Sequence, residues 1–122
     1  VSIVIGIDYG LKRTGIAIGN HITQTARPLK TLIADKRLRL LDLLEPIITQ
    51  WQPDSIVLGL PTHPDGAEHE MTRACRNFAR ALEKRFNTPV TLIDERYSSV
   101  DSEGDDAKAA TVILQRFLQQ VT

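Results

Sequence analysis

The chain of 122 residues holds a single cysteine, Cys75. A lone thiol excludes an internal disulfide and any zinc site built on cysteine ligands. Aromatic residues make up only 5% of the chain, so aliphatic side chains must carry the core. Charge of one sign is missing too: fifteen Lys and Arg are balanced by fifteen Asp and Glu. That balance argues against a protein that coats nucleic acid by bulk charge, although it leaves room for a local basic patch. No apolar run approaches the ~20 residues of a membrane span, and no targeting segment, repeat, low-complexity tract or linker is visible. These absences lead us to expect one reduced, cytoplasmic domain over residues 1–122, large enough for a single core.

The most informative stretch is Ile3-Val4-Ile5-Gly6-Ile7-Asp8-Tyr9-Gly10, followed by Leu11-Lys12-Arg13-Thr14-Gly15. Residues 3–7 read as a strand buried on both faces. A carboxylate ending such a strand is costly unless something pairs with it. Glycines and a Lys-Arg pair follow at once, which suggests an acidic cluster for a cation beside basic groups for a phosphate. Residues 15–19 read as a second strand in a hairpin with the first, and residues 26–33 as a third, placed at an edge by Pro28. Asp35 offers an N-cap to a helix carrying Leu40, Leu41, Leu44, Ile47, Ile48 and Trp51, with a kink or split expected at Pro46. Residues 55–60 are a continuous apolar strand, parallel to the first, and 61–66 a loop. A second helix carries Met71, Cys75, Phe78, Ala79, Leu82 and Phe86 on one face. Residues 90–93 form the fifth strand, and 107–121 the third helix, with Ala110, Ile113, Leu114, Phe117 and Val121 apolar. The order β-β-β-α-β-α-β-α predicts an α/β fold: a mixed sheet with helices on its faces.

Three acidic positions fall at comparable points of that topology. Asp8 ends the first strand; Glu95, or its neighbour Asp94, ends the fifth; Asp106, or its neighbour Asp105, begins the last helix. The first and fifth strands should flank the fourth, so their ends share the sheet edge where such folds place ligands. Carboxylates converging there would recruit a divalent cation, and oxygen-only donors favour Mg²⁺ or Mn²⁺ over zinc. Two such ions ~3.5–4 Å apart suit phosphodiester hydrolysis.

At these motifs the chain resembles the YqgF/RuvX family of the RNase H-like superfamily. The matching segments are Gly6-Ile7-Asp8-Tyr9-Gly10 with Lys12, Arg13 and Gly15; Thr25-Ala26-Arg27-Pro28-Leu29; Gly59-Leu60-Pro61 with Asp65-Gly66; Asp94-Glu95-Arg96 with Ser98-Ser99; and Asp106 leading into Ala109-Ala110 and Ile113-Leu114-Gln115. The resemblance covers nearly the whole chain. It implies an RNase H-like five-stranded sheet of order 3-2-1-4-5 and a metal-dependent endonuclease of the bacterial cytoplasm. That family is associated with 5′-end maturation of precursor 16S rRNA, and earlier with Holliday junction resolution. The resemblance implies Asp8, Glu95 and Asp106 as catalytic, metal-binding residues holding Mg²⁺ or Mn²⁺, with Lys12, Arg13 and Arg96 binding substrate. The implied partners are nucleic acid (precursor rRNA, alternatively branched DNA) and the ribosomal small subunit, with no membrane and a monomer or homodimer. The chain departs from the family between Tyr97 and Asp105, where a longer, often basic segment is expected and a short one with Asp101, Glu103 and Asp105 stands instead.

Other features have plainer readings. The stripe Arg73, Arg76, Arg80 and Lys84 could track a phosphate backbone but reads first as a solvated helix face. His21, His63 and His69 lack ligand spacing and read as surface residues; Tyr9 reads as a wedge beside the second strand. Two further classes compete with the nuclease: a catalytically silent RNA-binding assembly factor, and an actin- or sugar-kinase-like phosphate binder. The latter normally needs a second Gly-rich phosphate loop, which this chain lacks.

Overall fold

The apolar runs form five strands of one sheet in the computed structural model, which describes residues 2–62, 70–96 and 106–120. The strands are β1 (Ile3–Asp8), β2 (Arg13–Asn20), β3 (Thr25–Ile33), β4 (Ser55–Thr62) and β5 (Val90–Arg96). The helices are α1 (Arg37–Trp51), α2 (Glu70–Phe86) and α3 (Asp106–Gln120). The sheet order is β3-β2-β1-β4-β5. β1, β2 and β3 form an antiparallel meander, whereas β4 and β5 run parallel to β1. The element order and the mixed sheet are those expected from the sequence. No helix among the described residues is long and apolar enough to cross a membrane.

Alternation along the strands separates two cores. Ile5, Ile7, Ile16, Ile56, Leu58 and Leu60 face α1 and α2. Their neighbours Val4, Ala17, Val57 and Ile93 face α3. Period-two patterning of this kind needs apolar residues at nearly every central position, and that is why β1 and β4 read as unbroken runs. Phe78, fully buried on α2, is the largest side chain of the first core. Tyr9 stacks on it, ring centroids 4.3 Å apart and planes 13° from parallel. Tyr9 therefore packs against the core, as expected, with its ring on Phe78 of α2.

Several boundaries differ from expectation. Asp35 is not the N-cap of α1: Lys36 holds that position, with no side-chain cap hydrogen bond. Pro46 does not split α1, which runs from 37 to 51 around it and ends on left-handed Gln52, φ 45°. Proline forgoes one helical hydrogen bond, and burial of Leu44, Ile47 and Ile48 on either side of it outweighs that loss. Pro28 does lie on an edge strand. The β2–β3 register shifts between Ile16 and Ala17, which pair with Lys30 and Pro28, so the proline falls at a bulge where no ladder donor is needed. β4 continues to Thr62 and β5 to Arg96, because Leu60, Pro61 and Thr62 pair with Asp94, Glu95 and Arg96. Leu118, fully buried on α3, was missed by the sequence reading although it follows Leu114 by one turn. His21 is half-buried, edge-on to Phe117 at 5.4 Å. Val121, and the segments 63–69 and 97–105 with His63, Asp65, His69, Ser98 and Ser99, lie outside the described residues.

Truncating Phe78 to Ala removes the ring that joins α2, Tyr9 and the β1 end. We expect a loss of about 3–5 kcal/mol in unfolding free energy, read from urea denaturation. Burial raises the Tyr9 phenol above its ordinary value of 10.0, with Cys75 adding to the shift and Arg37 opposing it. The fold therefore favours the neutral phenol. Its contribution is complete below the unfolded value and fades as pH rises through the folded one. Tyr9→Phe is expected to flatten the alkaline decline in stability, measured as urea midpoints on both sides of that range.

Candidate active site

The site edge is set by the direction of three strands. β1, β4 and β5 are parallel, so Asp8 and the Asp94-Glu95-Arg96 run terminate on the same side of the sheet. Asp8 pairs with Gly15 across β1 and β2, and directly opposed residues of an antiparallel pair project to the same face. Gly15 is the seat of α3: a Cβ there would overlap the backbone carbonyl of Asp106. The start of α3 thus lies over the residue that opposes Asp8. Two of the three expected carboxylate positions are neighbours for a reason written into β2.

The descent of α3 across the sheet repeats the theme. Leu114 and the Ala110 carbonyl crowd Gly6, at 2.9 and 3.0 Å from where its Cβ would be, and Leu114 also covers Gly19. Small residues at 15, 17 and 19 of β2 make a groove into which α3 sinks. Arg116 of α3 donates from Nη1 to the Asp94 carbonyl at 3.1 Å, which ties the helix to the end of β5. Ile93 of β5 packs on α3. β5 carries Asp94 and Glu95 onto the sheet edge, where they pair with Leu60 and Pro61.

Basic groups surround this edge. Arg13 donates from Nε to Asp106 Oδ2 at 2.8 Å. Both side chains are partly exposed, so the pair is worth at most about 1 kcal/mol in stability, and its value is positional. Among the described residues, one of the five Arg13 donors is engaged. The preceding turn is pinned by two interactions. Thr14 Oγ1 donates to the Gly10 carbonyl at 3.4 Å, and Ala34 N–H donates to the Lys12 carbonyl at 3.0 Å. Lys12 is exposed, and Arg96 ends β5 on the same edge.

Other sequence candidates fall elsewhere. Arg73, Arg76, Arg80 and Lys84 are all exposed on α2, and Arg80 donates to Asn77 Oδ1 at 3.3 Å. A cavity of about 200 Å³ lined by Ile3, Asn20, Arg27 and Trp51 opens at the opposite sheet edge, far from Asp8. The sequence reading missed the role of Gly15; its signal was the spacing of small residues at 15, 17 and 19.

Comparison with solved structures defines the class of protein. The chain superposes on Thermus thermophilus RuvC in complex with a Holliday junction substrate with a TM-score of 0.66 at 11% identity, covering 98% of this chain and 95% of RuvC. It superposes on the fowlpox virus resolvase, solved with Holliday junction DNA, with a TM-score of 0.60 at 12% identity, covering 98% of each. The fold is RNase H-like, with the expected strand order. More particularly, the chain belongs to the RuvX family: the family model, described as "Holliday junction resolvase", matches residues 2–120. A protein of Paraburkholderia phytofirmans named "Putative pre-16S rRNA nuclease" is 44% identical, over 94% of this chain and 86% of its own length. A Burkholderia thailandensis protein of the same name is 47% identical over the same shares. Both alignments extend to 126 positions while using 94% of this 122-residue chain, so these relatives carry residues that this chain does not.

Gly15→Ala tests the seating of α3. The added methyl must displace the α3 backbone at Asp106 and Ala107, so we expect about 1–3 kcal/mol of destabilisation from overpacking in urea denaturation. The Arg13–Asp106 contact should be lost, visible as a changed side-chain resonance of Arg13 Nε.

Proposed function

We propose that this chain is a divalent-metal-dependent endonuclease that hydrolyses phosphodiester bonds, acting in the cytoplasm on the 5′ end of precursor 16S rRNA as the small ribosomal subunit matures. The observation that carries the reading is the seating of Asp106 over Gly15, which makes it a neighbour of Asp8. The donor chemistry fits a hard cation: the positions concerned offer carboxylate oxygen, and no histidine or thiol joins them. Among the described residues, no group of three His, Cys, Asp or Glu is gathered closely enough to hold an ion. In our reading Glu95, whose side chain is not described, is the third ligand. Asp8, Glu95 and Asp106 would hold Mg²⁺ or Mn²⁺. When bound, such ions supply an activated water and stabilise the leaving oxygen.

The chain's own groups do the rest. Asp8 and Asp106 concentrate negative charge at the mouth of β1, so an ion is drawn there in preference to the phosphate. Arg13 holds Asp106 in place through Nε while its remaining N–H groups stay available for a phosphate oxygen. Lys12 and Arg96 flank the path of the strand. The names of the relatives favour precursor rRNA as substrate. The family description, and the likeness to RuvC with its junction substrate, favour a second reading of the same chemistry on four-way DNA junctions.

The test is cleavage of a precursor rRNA fragment and of a four-way junction, side by side, with and without Mn²⁺. Asp8→Asn should lower the metal-dependent rate by more than the ~10–100-fold that loss of an outer metal partner costs, and should weaken Mn²⁺ binding by calorimetry. An unchanged rate ends the catalytic assignment. Symmetric cutting of the junction with no action on the RNA transfers the assignment to the second reading.

A further inference from the structure

The corner beside the carboxylate edge, where the β1–β2 turn meets the start of α1, carries residues besides Lys12 that the proposed chemistry does not use. Lys12, Lys36, Arg37 and Arg39 are all exposed there. None of the four forms an ion pair with a described acid. The first turn of α1 holds no acidic residue, and its N-cap makes no side-chain hydrogen bond. Among the described residues, Arg13 pairs with Asp106, and Arg85 with both Asp42 and Glu45. In a chain of zero net charge, four cations gathered at one corner, with Asp35 alone beside them in the chain, are a local excess.

One observation places this corner next to the site. The Ala34 N–H bond to the Lys12 carbonyl fastens the turn to the end of β3, three residues before α1. A second observation concerns apolar surface. Large exposed hydrophobic residues are few: Leu11, Ile22, Ile33, Leu38 and Val112. Three of these five, Leu11 at 64%, Ile33 at 73% and Leu38 at 67% exposed, belong to the same corner, and Ile33 is the cross-strand partner of Arg13.

We propose that this corner is a binding shelf for an unpaired strand of nucleic acid running away from the cleavage site. Lys12, Lys36 and Arg39 take its phosphates, and Leu11 and Leu38 lie against its bases. Phosphates alone would be served by cations alone. Apolar side chains interleaved with them suit exposed base faces, and a duplex hides those faces in its stack. The inference rests on the nuclease reading and narrows it, because it assigns the enzyme a substrate that is single-stranded on one side of the cut.

Binding of a single-stranded RNA 20-mer and of a blunt RNA duplex, about 20 pairs long, is measured by fluorescence anisotropy over a salt series without divalent ions, a range where the counterion-release slope is readable. Lys36→Gln and Arg39→Gln should each reduce the single-strand salt slope by about 0.7. Leu11→Ser with Leu38→Ser should weaken the single strand several-fold and leave the duplex unchanged. Lys84→Gln, at the far end of α2, is the equal-charge control and should alter neither. Circular dichroism verifies folding, and all substituted side chains are exposed. The shelf is refuted if slopes and affinities stay at wild-type values, or if Lys84→Gln matches the shelf variants. It is also refuted if the variants change only the sedimenting mass, which would make the corner a contact between copies. Wild-type protein that cleaves RNA while shelf variants bind normally overturns the shelf alone. Wild-type protein that neither binds nor cleaves nucleic acid overturns the nuclease reading with it.

Discussion

The close seating of α3 on the sheet is the constraint on which the rest depends. A helix can approach a strand backbone this closely only where side chains are missing, and β2 supplies such a place at Gly15, Ala17 and Gly19. Gly6 continues the groove on β1. Once α3 sinks there, Leu114 closes over Gly6 and Gly19, and Ala110, Ile113, Phe117 and Leu118 bury against Val4, Val57 and Ile93. The apolar contacts lower down the helix hold its polar start in position. Core packing and site geometry are therefore one structural fact: the helix that completes the second core also delivers Asp106 to the residue opposite Asp8.

That arrangement brings negative groups together, and the fold answers with positive ones from the neighbouring turn. Arg13 begins β2 two residues before the glycine under Asp106, so its guanidinium is within reach of the carboxylate by construction. The ion pair is too exposed to add much stability. What it does is hold a carboxylate in one orientation and leave most of the guanidinium donors for another anion. A lysine at this position would present a point charge without the planar fork.

Much of this was legible before any coordinates. The unbroken apolar runs of β1 and β4 announced strands buried on both faces, and the alternation of strands and helical patterns announced a mixed sheet. Asp8, at the end of such a run, was conspicuous because burial should exclude it. What the residues alone left open was Glu95 against Asp94, since a carboxylate pair carries no sign of its own facing. β5 continues to Arg96, which brings both to the sheet edge; the choice of Glu95 belongs to the proposed function. The extension was hidden because Asp94-Glu95-Arg96 has the composition of a surface turn, yet its backbone still pairs with Leu60-Pro61-Thr62. Pro46 was misread for the opposite reason. Its local cost is real, but helix ends are decided by the apolar face on both sides of it. Gly15 was the least legible residue of all: a glycine beside a turn looks like turn chemistry, and its service as a seat for a helix 91 positions later is visible only in three dimensions.

The same geometry bears on how a neutral chain can grip a polyanion. Bulk attraction is unavailable, so binding must come from sorting charges over the surface. Among the described acids at the carboxylate edge, Asp106 is tied to Arg13. Those on α1, Asp42 and Glu45, are occupied by Arg85 of α2, on the flank away from the helix start. Among the described residues, the basic residues at that start form no ion pair, and in our proposal they lie where a strand leaving the site would pass. Segregation of this kind has a cost in repulsion among Lys36, Arg37 and Arg39, three cations within four residues. A fold under no demand for an anion would be expected to relieve that repulsion with an acid in the first turn of α1, where acids are favoured by the helix dipole. α1 begins without one, and Asp35, one residue before the N-cap, is a single acid set against three cations; the proposed strand would match the remainder.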